Sequence, residues 1–158
     1  MRMPTDAFRR HAHRRIRIAL ACALLSGARP VLADCFDSAA AYQGVSAPIL
    51  RSIAWVESHG NPDAEHRNAN GTVDIGELQV NSSHLSELAV YGIDARALRN
   101  PCVNIYVAAW QLKKQIVRYG NTWAAIGAYH SQTPRLRDAY ARLIRATLTR
   151  WGLLAQNP

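Results

Sequence analysis

No apolar run in this 158-residue chain is long enough to cross a bilayer as a helix. The longest, Ile18 to Ala28, is about 11 residues, where a span needs roughly 20. Cysteine is scarce, three in all, and no Cys-x-x-Cys occurs, which argues against a dithiol redox centre. His59, His66, His84 and His130 are scattered: no pair has the i, i+4 spacing of a helical zinc site and no His/Cys cluster exists, so no metal is expected. Internal repeats, low-complexity tracts and interdomain linkers are also missing. Acidic residues are few, 11 against 19 Lys and Arg, a formal charge of +8. That excess is concentrated at one end. Residues 1–33 hold seven arginines and one aspartate (+6), leaving 12 basic and 10 acidic groups (+2) in residues 34–158. A near-neutral body of this kind gives little support to nucleic-acid binding.

What is present begins with an address. Arg9, Arg10, Arg14, Arg15 and Arg17 precede the short apolar run, and Val31-Leu32-Ala33 supplies a small-residue cleavage pattern. Residues 1–33 therefore read as a cleaved secretory signal peptide. Residues 34–158 read as the mature domain, with no stable membrane anchor after cleavage. An uncleaved interfacial anchor is the alternative. Cleavage would remove Cys22 and leave Cys35 and Cys102, an even pair that reads as a disulfide in an exported protein. Two buried free thiols are the other reading.

The mature part reads as helices around one irregular stretch. Phe36 to Gln43 is expected as a short helix closed by Gly44. A second runs from Ser46, an N-cap candidate, through Pro48 to His59, with Gly60 after it. Residues 61–75 carry turn chemistry, with a small hairpin expected around Asn70-Gly71. Gly76 to Asn81 and His84 to Val90 look like short helical pieces. Asn100-Pro101 opens the longest helix, ending at Tyr119; further helices cover Thr122 to Tyr129 and Arg135 to Trp151. The expected class is α+β, predominantly α, with a minor β-hairpin region.

Within Ser46–His59 the apolar stripe is Leu50, Ile53 and Ala54, and the next position on it is Glu57. A carboxylate thus stands where a core residue is expected. Burial disfavours its charged form and should raise its pKa. A carboxylic acid kept protonated near neutral pH is what general-acid cleavage of a glycosidic bond needs. The plainer alternative is a helix-end Glu that is exposed or paired with Arg51 or His59.

Three blocks in one order decide between these readings. They are Glu57-Ser58-x-x-Asn61-Pro62; Asn68-x-Asn70-Gly71-Thr72-x-Asp74-Ile75-Gly76-x-Leu78-Gln79-Val80-Asn81; and Ala125-Ile126-Gly127-Ala128-Tyr129-His130-Ser131. Together they resemble the lytic transglycosylases with a soluble-transglycosylase, lysozyme-like domain. Cys35-Phe36 and Asn100-Pro101-Cys102-x-Asn104-Ile105 resemble its small invasion-protein branch, which accompanies type III and type IV secretion, pilus and conjugation systems. The resemblance implies a lysozyme-like domain acting on peptidoglycan glycan strands in the periplasm of a Gram-negative bacterium, without a cofactor. Components of such a secretion, pilus or conjugation machine would be its partners.

The same resemblance implies roles for single residues. Glu57 would be the sole catalytic acid and base. Ser58 would position it or the substrate's N-acetyl group, and Gln79 would hold that acetamido group. Gly76 would let the backbone approach a sugar closely. Asn81 and His130 would touch substrate, and the Tyr129 hydroxyl would hold Glu57 while its ring lines the groove. The sequence departs from the broader family at Leu78, where Met is usual, and at His130, where Asn is common. Glu77 is an unexpected carboxylate, and with Asp74 it offers a second acid. That leaves a water-using muramidase open, as well as a non-catalytic peptidoglycan-binding subunit. The arginines of the last helix read as a solvated face or as a docking surface for an anionic neighbour.

Overall fold

The computed structural model describes residues 34–155, so the expected signal peptide lies outside the described residues. Helix starts follow the capping chemistry. Asp34 accepts from the Asp37 N–H at 3.0 Å to open α1 (Cys35–Gln43), and Gly44, left-handed at φ 64°, closes it. Ser46 stands before α2 (Ala47–Ser58) in extended conformation but makes no side-chain cap bond; Pro48 sits in the first turn instead. Asn100 caps α4 (Pro101–Tyr119) through the Val103 N–H, and Thr122 caps α5 (Trp123–Ala128) through the Ala125 N–H. Pro134 opens α6 (Pro134–Arg150).

The expected hairpin is present and larger than expected. Strands β1 (Glu65–Arg67) and β2 (Val73–Ile75) pair antiparallel around Asn70-Gly71, with His66 opposite Asp74. A third strand, β3 (Val80–Asn81), pairs with β2, placing Asn81 opposite Asp74. The helical piece expected at Gly76–Asn81 is therefore a turn followed by a strand. Gly76 (φ 76°) and Gln79 (φ 48°) both adopt left-handed conformations that a helix cannot contain. From there, single turns of 3-10 helix flank α3 (Leu85–Leu88), and another at Ala97–Arg99 leads into α4.

The core gathers Leu50 and Ile53 of α2, Ile75, Leu78 and Val80 of the sheet region, and Ile105, Ala108 and Leu112 of α4. Ile126 of α5 and Ile144 and Leu148 of α6 pack into the same cluster. Asn104 joins sheet to helix from inside this core. Fully buried, it donates to the Ile75 carbonyl at 2.8 Å and the Leu98 carbonyl at 3.2 Å, and accepts from the Leu78 N–H at 3.0 Å. These bonds give buried backbone groups of the sheet and the turns a partner inside the core. At Gly127 a side chain would collide with the Arg137 carbonyl, so α5 and α6 cross at a separation only glycine permits. Cys35 and Cys102 form a disulfide, Cα atoms 5.3 Å apart, tying the head of α1 to the head of α4. The whole is the α-rich, lysozyme-like architecture that the resemblance implies.

Candidate active site

Glu57 occupies the last turn of α2, on the stripe whose earlier members Leu50, Ile53 and Ala54 are buried. It is half-buried, and it pairs with neither Arg51 nor His59. Arg51 instead forms ion pairs with Asp34 and Asp37. The partner of Glu57 is Tyr140 of α6, whose hydroxyl donates to Oε1 at 2.5 Å. Among the described residues no hydrogen bond is made to Oε2, which leaves that oxygen for a substrate. The His130 ring stacks flat on Tyr140, centroids 4.9 Å apart and planes within 4°.

Desolvation lifts the Glu57 carboxyl above the usual range for a glutamate. The Tyr140 hydrogen bond and the His130 charge oppose that shift, and the charge of Asp74 adds to it. Burial beside this carboxylate likewise raises the phenols of Tyr140 and Tyr129, so both remain proton donors. The result is a half-buried acid whose position is set by a single short hydrogen bond.

Asp74 faces a polar patch of the sheet. Its Oδ2 accepts from Asn68 Nδ2 at 2.8 Å and its Oδ1 from Asn81 Nδ2 at 2.6 Å. Both amides also reach Thr72 Oγ1, at 3.1 and 3.0 Å, and that hydroxyl bonds Asn70 Oδ1 at 2.8 Å. Four side chains thus brace one carboxylate. Alternation along β2 puts Asp74 on the opposite side of the strand from buried Ile75.

A family model described as Transglycosylase SLT domain matches residues 34–143. The chain belongs to this family. Among its relatives, the X polypeptide of Escherichia coli is 39% identical over 99 residues, which is 62% of this chain and 59% of that protein. The chain therefore spans about three fifths of that relative's length. Invasion protein IagB of Salmonella typhimurium is 35% identical over 117 residues, covering 71% of this chain and 73% of that one. Protein IpgF of Shigella flexneri is 34% identical over 123 residues, covering 72% and 81%.

Within this transglycosylase domain the expected site residues make the following contacts. The Tyr129 hydroxyl does not hold Glu57; it donates to the Leu78 carbonyl at 2.8 Å and so steadies the turn before β3. Ser58 Oγ lies 2.8 Å from the Glu77 carbonyl and 3.0 Å from the Asn61 N–H, stitching the end of α2 to the loop rather than touching Glu57. At Gly76 a side chain would overlap Asn104, which by itself demands glycine there. The Gln79 amide spends its donors on the Gly76 and Ala64 carbonyls at 2.7 and 3.2 Å, leaving its carbonyl oxygen as the end that could meet a ligand. Asn81 braces Asp74. Of the expected contacts, His130 is exposed and sits over the tyrosine that holds Glu57.

Glu77 is buried, and its carboxyl is raised by burial and by the charge of Asp34 at the head of α1. Of the two acids flagged in the sequence, only Asp74 exerts its charge on Glu57. Among the described residues no group of His, Cys, Asp or Glu is arranged to hold a metal ion. The residue that the sequence reading missed is Tyr140. It lies four before Ile144 and eight before Leu148, on the apolar stripe of α6, and a tyrosine on such a stripe needs a partner for its hydroxyl.

Proposed function

We propose that this chain is an exported peptidoglycan lytic transglycosylase that cleaves the β-1,4 bond between MurNAc and GlcNAc with Glu57 as acid and base. The observation that carries the reading is the state of Glu57: half-buried, raised, gripped through Oε1 by Tyr140, with Oε2 left for a ligand. The protonated carboxyl gives its proton to the leaving oxygen. The substrate's N-acetyl oxygen then steadies the sugar cation, a substrate-assisted route that needs no protein nucleophile. Glu57, now a base, takes the proton from the MurNAc 6-hydroxyl, whose oxygen closes on C1 to give the 1,6-anhydro sugar. Attack from within one sugar ring enjoys a high effective concentration, which favours it over water.

Likeness to a protein named for invasion supports a role in opening the wall locally for a secretion or conjugation apparatus, acting from the periplasm. Mass spectrometry of muropeptides released by residues 34–158 tests the chemistry. Anhydro products, one water lighter than hydrolysis products, are expected, with Glu57→Gln binding glycan but releasing nothing. Hydrolysis products would instead favour the muramidase reading, to which the braced Asp74 lends support. Lysis undiminished in Glu57→Gln would remove Glu57 from the mechanism.

A further inference from the structure

The charge of the last helix serves neither the fold nor the proposed chemistry. α6 carries five arginines and one aspartate, net +4, whereas the rest of residues 34–158 holds seven basic and nine acidic groups, net −2. Its single acid is spent locally, because Asp138 pairs with Arg137 at 2.8 Å. Among the described residues Arg135, Arg142, Arg145 and Arg150 have no acidic partner, and all four are exposed. Helix stability does not account for them. Arg135 stands in the first turn, where the helix dipole disfavours a cation, and Arg142 and Arg145, three apart, repel each other.

The same exposed side is apolar along one edge. Successive residues turn by about 100°, so Leu143 stands below Leu136 and Arg142 below Arg135, two rows side by side on a helix about 25 Å long. Leu136 and Leu143 are 40% and 54% exposed, while Tyr140, Ile144 and Leu148 on the opposite side lie in the core. Just past the last turn Trp151 and Leu153 are also exposed, at 38% and 54%. Arg142, Arg145, Thr149 and Ala155 line an open hollow of about 320 Å³. The Trp123 ring lies 5.1 Å from the Arg145 guanidinium and steadies it at the rim. Arginines beside leucines, with a tryptophan at the end, are the composition of a helix that lies in the surface of a bilayer.

We propose that the outer face of α6 is a reversible docking surface for an anionic phospholipid bilayer. A lipid phosphate occupies the hollow between Arg142 and Arg145, and Leu136 and Leu143 enter the upper acyl chains. Guanidinium groups suit that ligand, since their planar donors meet phosphate oxygens in pairs. The exposed leucines favour a bilayer over a soluble acidic polymer, which the arginines alone would satisfy. The unpaired charges also run the length of the helix, which fits a surface of many headgroups better than one acidic cluster on a partner. Such attachment is electrostatic in the main, so salt reverses it. The inference goes beyond the proposed cleavage and does not depend on it. Because Tyr140 of the same helix holds Glu57, docking through α6 would keep the candidate active site near the bilayer.

Co-sedimentation with vesicles tests this, on oxidised residues 34–158 so that the basic, apolar leader contributes nothing. Phosphatidylcholine vesicles with about 30% phosphatidylglycerol should bind at least about 100-fold more tightly than phosphatidylcholine alone, four arginines at about 5-fold each. Salt near 0.5 M, roughly, should erase that preference. Arg142→Gln/Arg145→Gln should lose about 25-fold in affinity for the anionic vesicles. Leu136→Ser/Leu143→Ser, at unchanged charge, should lose about 10-fold. Arg67→Gln/Lys113→Gln removes the same charge away from α6 and should stay within about 3-fold of wild type. All of these side chains reach the surface, and a melting curve beside each assay verifies the fold. Equal binding to both vesicles overturns the proposal and hands the face to an acidic protein or to wall carboxylates. An unaffected arginine pair, an unaffected leucine pair, or an equal loss in Arg67→Gln/Lys113→Gln overturns it as well. Glu57→Gln should bind vesicles as wild type does. A protein that binds them without lysing glycan defeats only the proposed function, and a lytic protein that ignores them defeats only this inference.

Discussion

The Tyr140 hydroxyl donates to Glu57 Oε1 at 2.5 Å across 83 residues of sequence, joining the last helix to the end of α2 at the proposed catalytic carboxylate. This bond favours the charged form of Glu57, in opposition to burial. Tyr140→Phe should therefore raise the Glu57 pKa further and move the alkaline limb of activity to higher pH. It should also cost about 10-fold in kcat, as the acid loses its orientation. The charge of Asp74 raises the same carboxyl, so Asp74→Asn should move that limb the other way, and the two profiles measured together check the assignment of each neighbour.

A buried acid also leaves a mark on stability. The Glu57 carboxyl is raised in the folded chain, so between its unfolded and folded pKa values the native state binds more protons than the unfolded state. Stability therefore falls as pH rises through that window. Glu57→Gln keeps an acceptor for Tyr140 and removes the charge. It should melt higher than wild type at pH 8, and the difference should vanish near pH 4. Melting curves across this range decide the matter, and a Gln variant less stable at pH 8 would contradict the burial argument.

Asn104 hydrogen-bonds three backbone groups from inside the core, at Ile75, Leu98 and Leu78. Asn104→Ala should cost about 3 kcal/mol, since each stranded buried group costs roughly 1–3 kcal/mol and some relax. Urea unfolding measures this. The expected result is a lower midpoint with an unchanged m-value.

The Cys35–Cys102 bridge closes a loop with a separation of 67 residues. Its removal should cost about 4 kcal/mol by the chain-entropy relation. A Cys35→Ser/Cys102→Ser double variant should melt lower than the oxidised protein while cleaving glycan normally at low temperature. Loss of cleavage in a variant that is still folded would show that the bridge shapes the site itself.

Helix ends, the hairpin and the acid were legible because each rests on local chemistry. Pro48, Asn100 and Pro134 mark starts that depend only on neighbouring residues, and Glu57 betrays itself by interrupting an apolar stripe. The Gly76–Asn81 segment was misread as helix because its conformation is imposed from outside. Asn104 occupies the space a side chain at Gly76 would need and takes the Leu78 N–H, and neither fact is visible within the segment. The two tyrosines exchanged roles for a similar reason. The family blocks flagged Tyr129, but which hydroxyl reaches Glu57 depends on how α6 packs across α2, a distance that no motif records. The Asn68, Thr72 and Asn81 brace was spelled out in the motif block, yet its purpose emerged only when β1, β2 and β3 aligned their side chains around Asp74.

The α5–α6 crossing at Gly127 bears on the order in which the Glu57 site can be assembled. Polypeptides leave a ribosome, or an export channel, beginning with the N-terminus. Glu57 therefore emerges long before the helix that bears Tyr140, and that helix can settle only where a missing side chain admits the Arg137 carbonyl. Until then Glu57 lacks its Tyr140 partner. A chain that ends before α6 therefore lacks the one hydroxyl that meets Glu57 Oε1 in the folded domain.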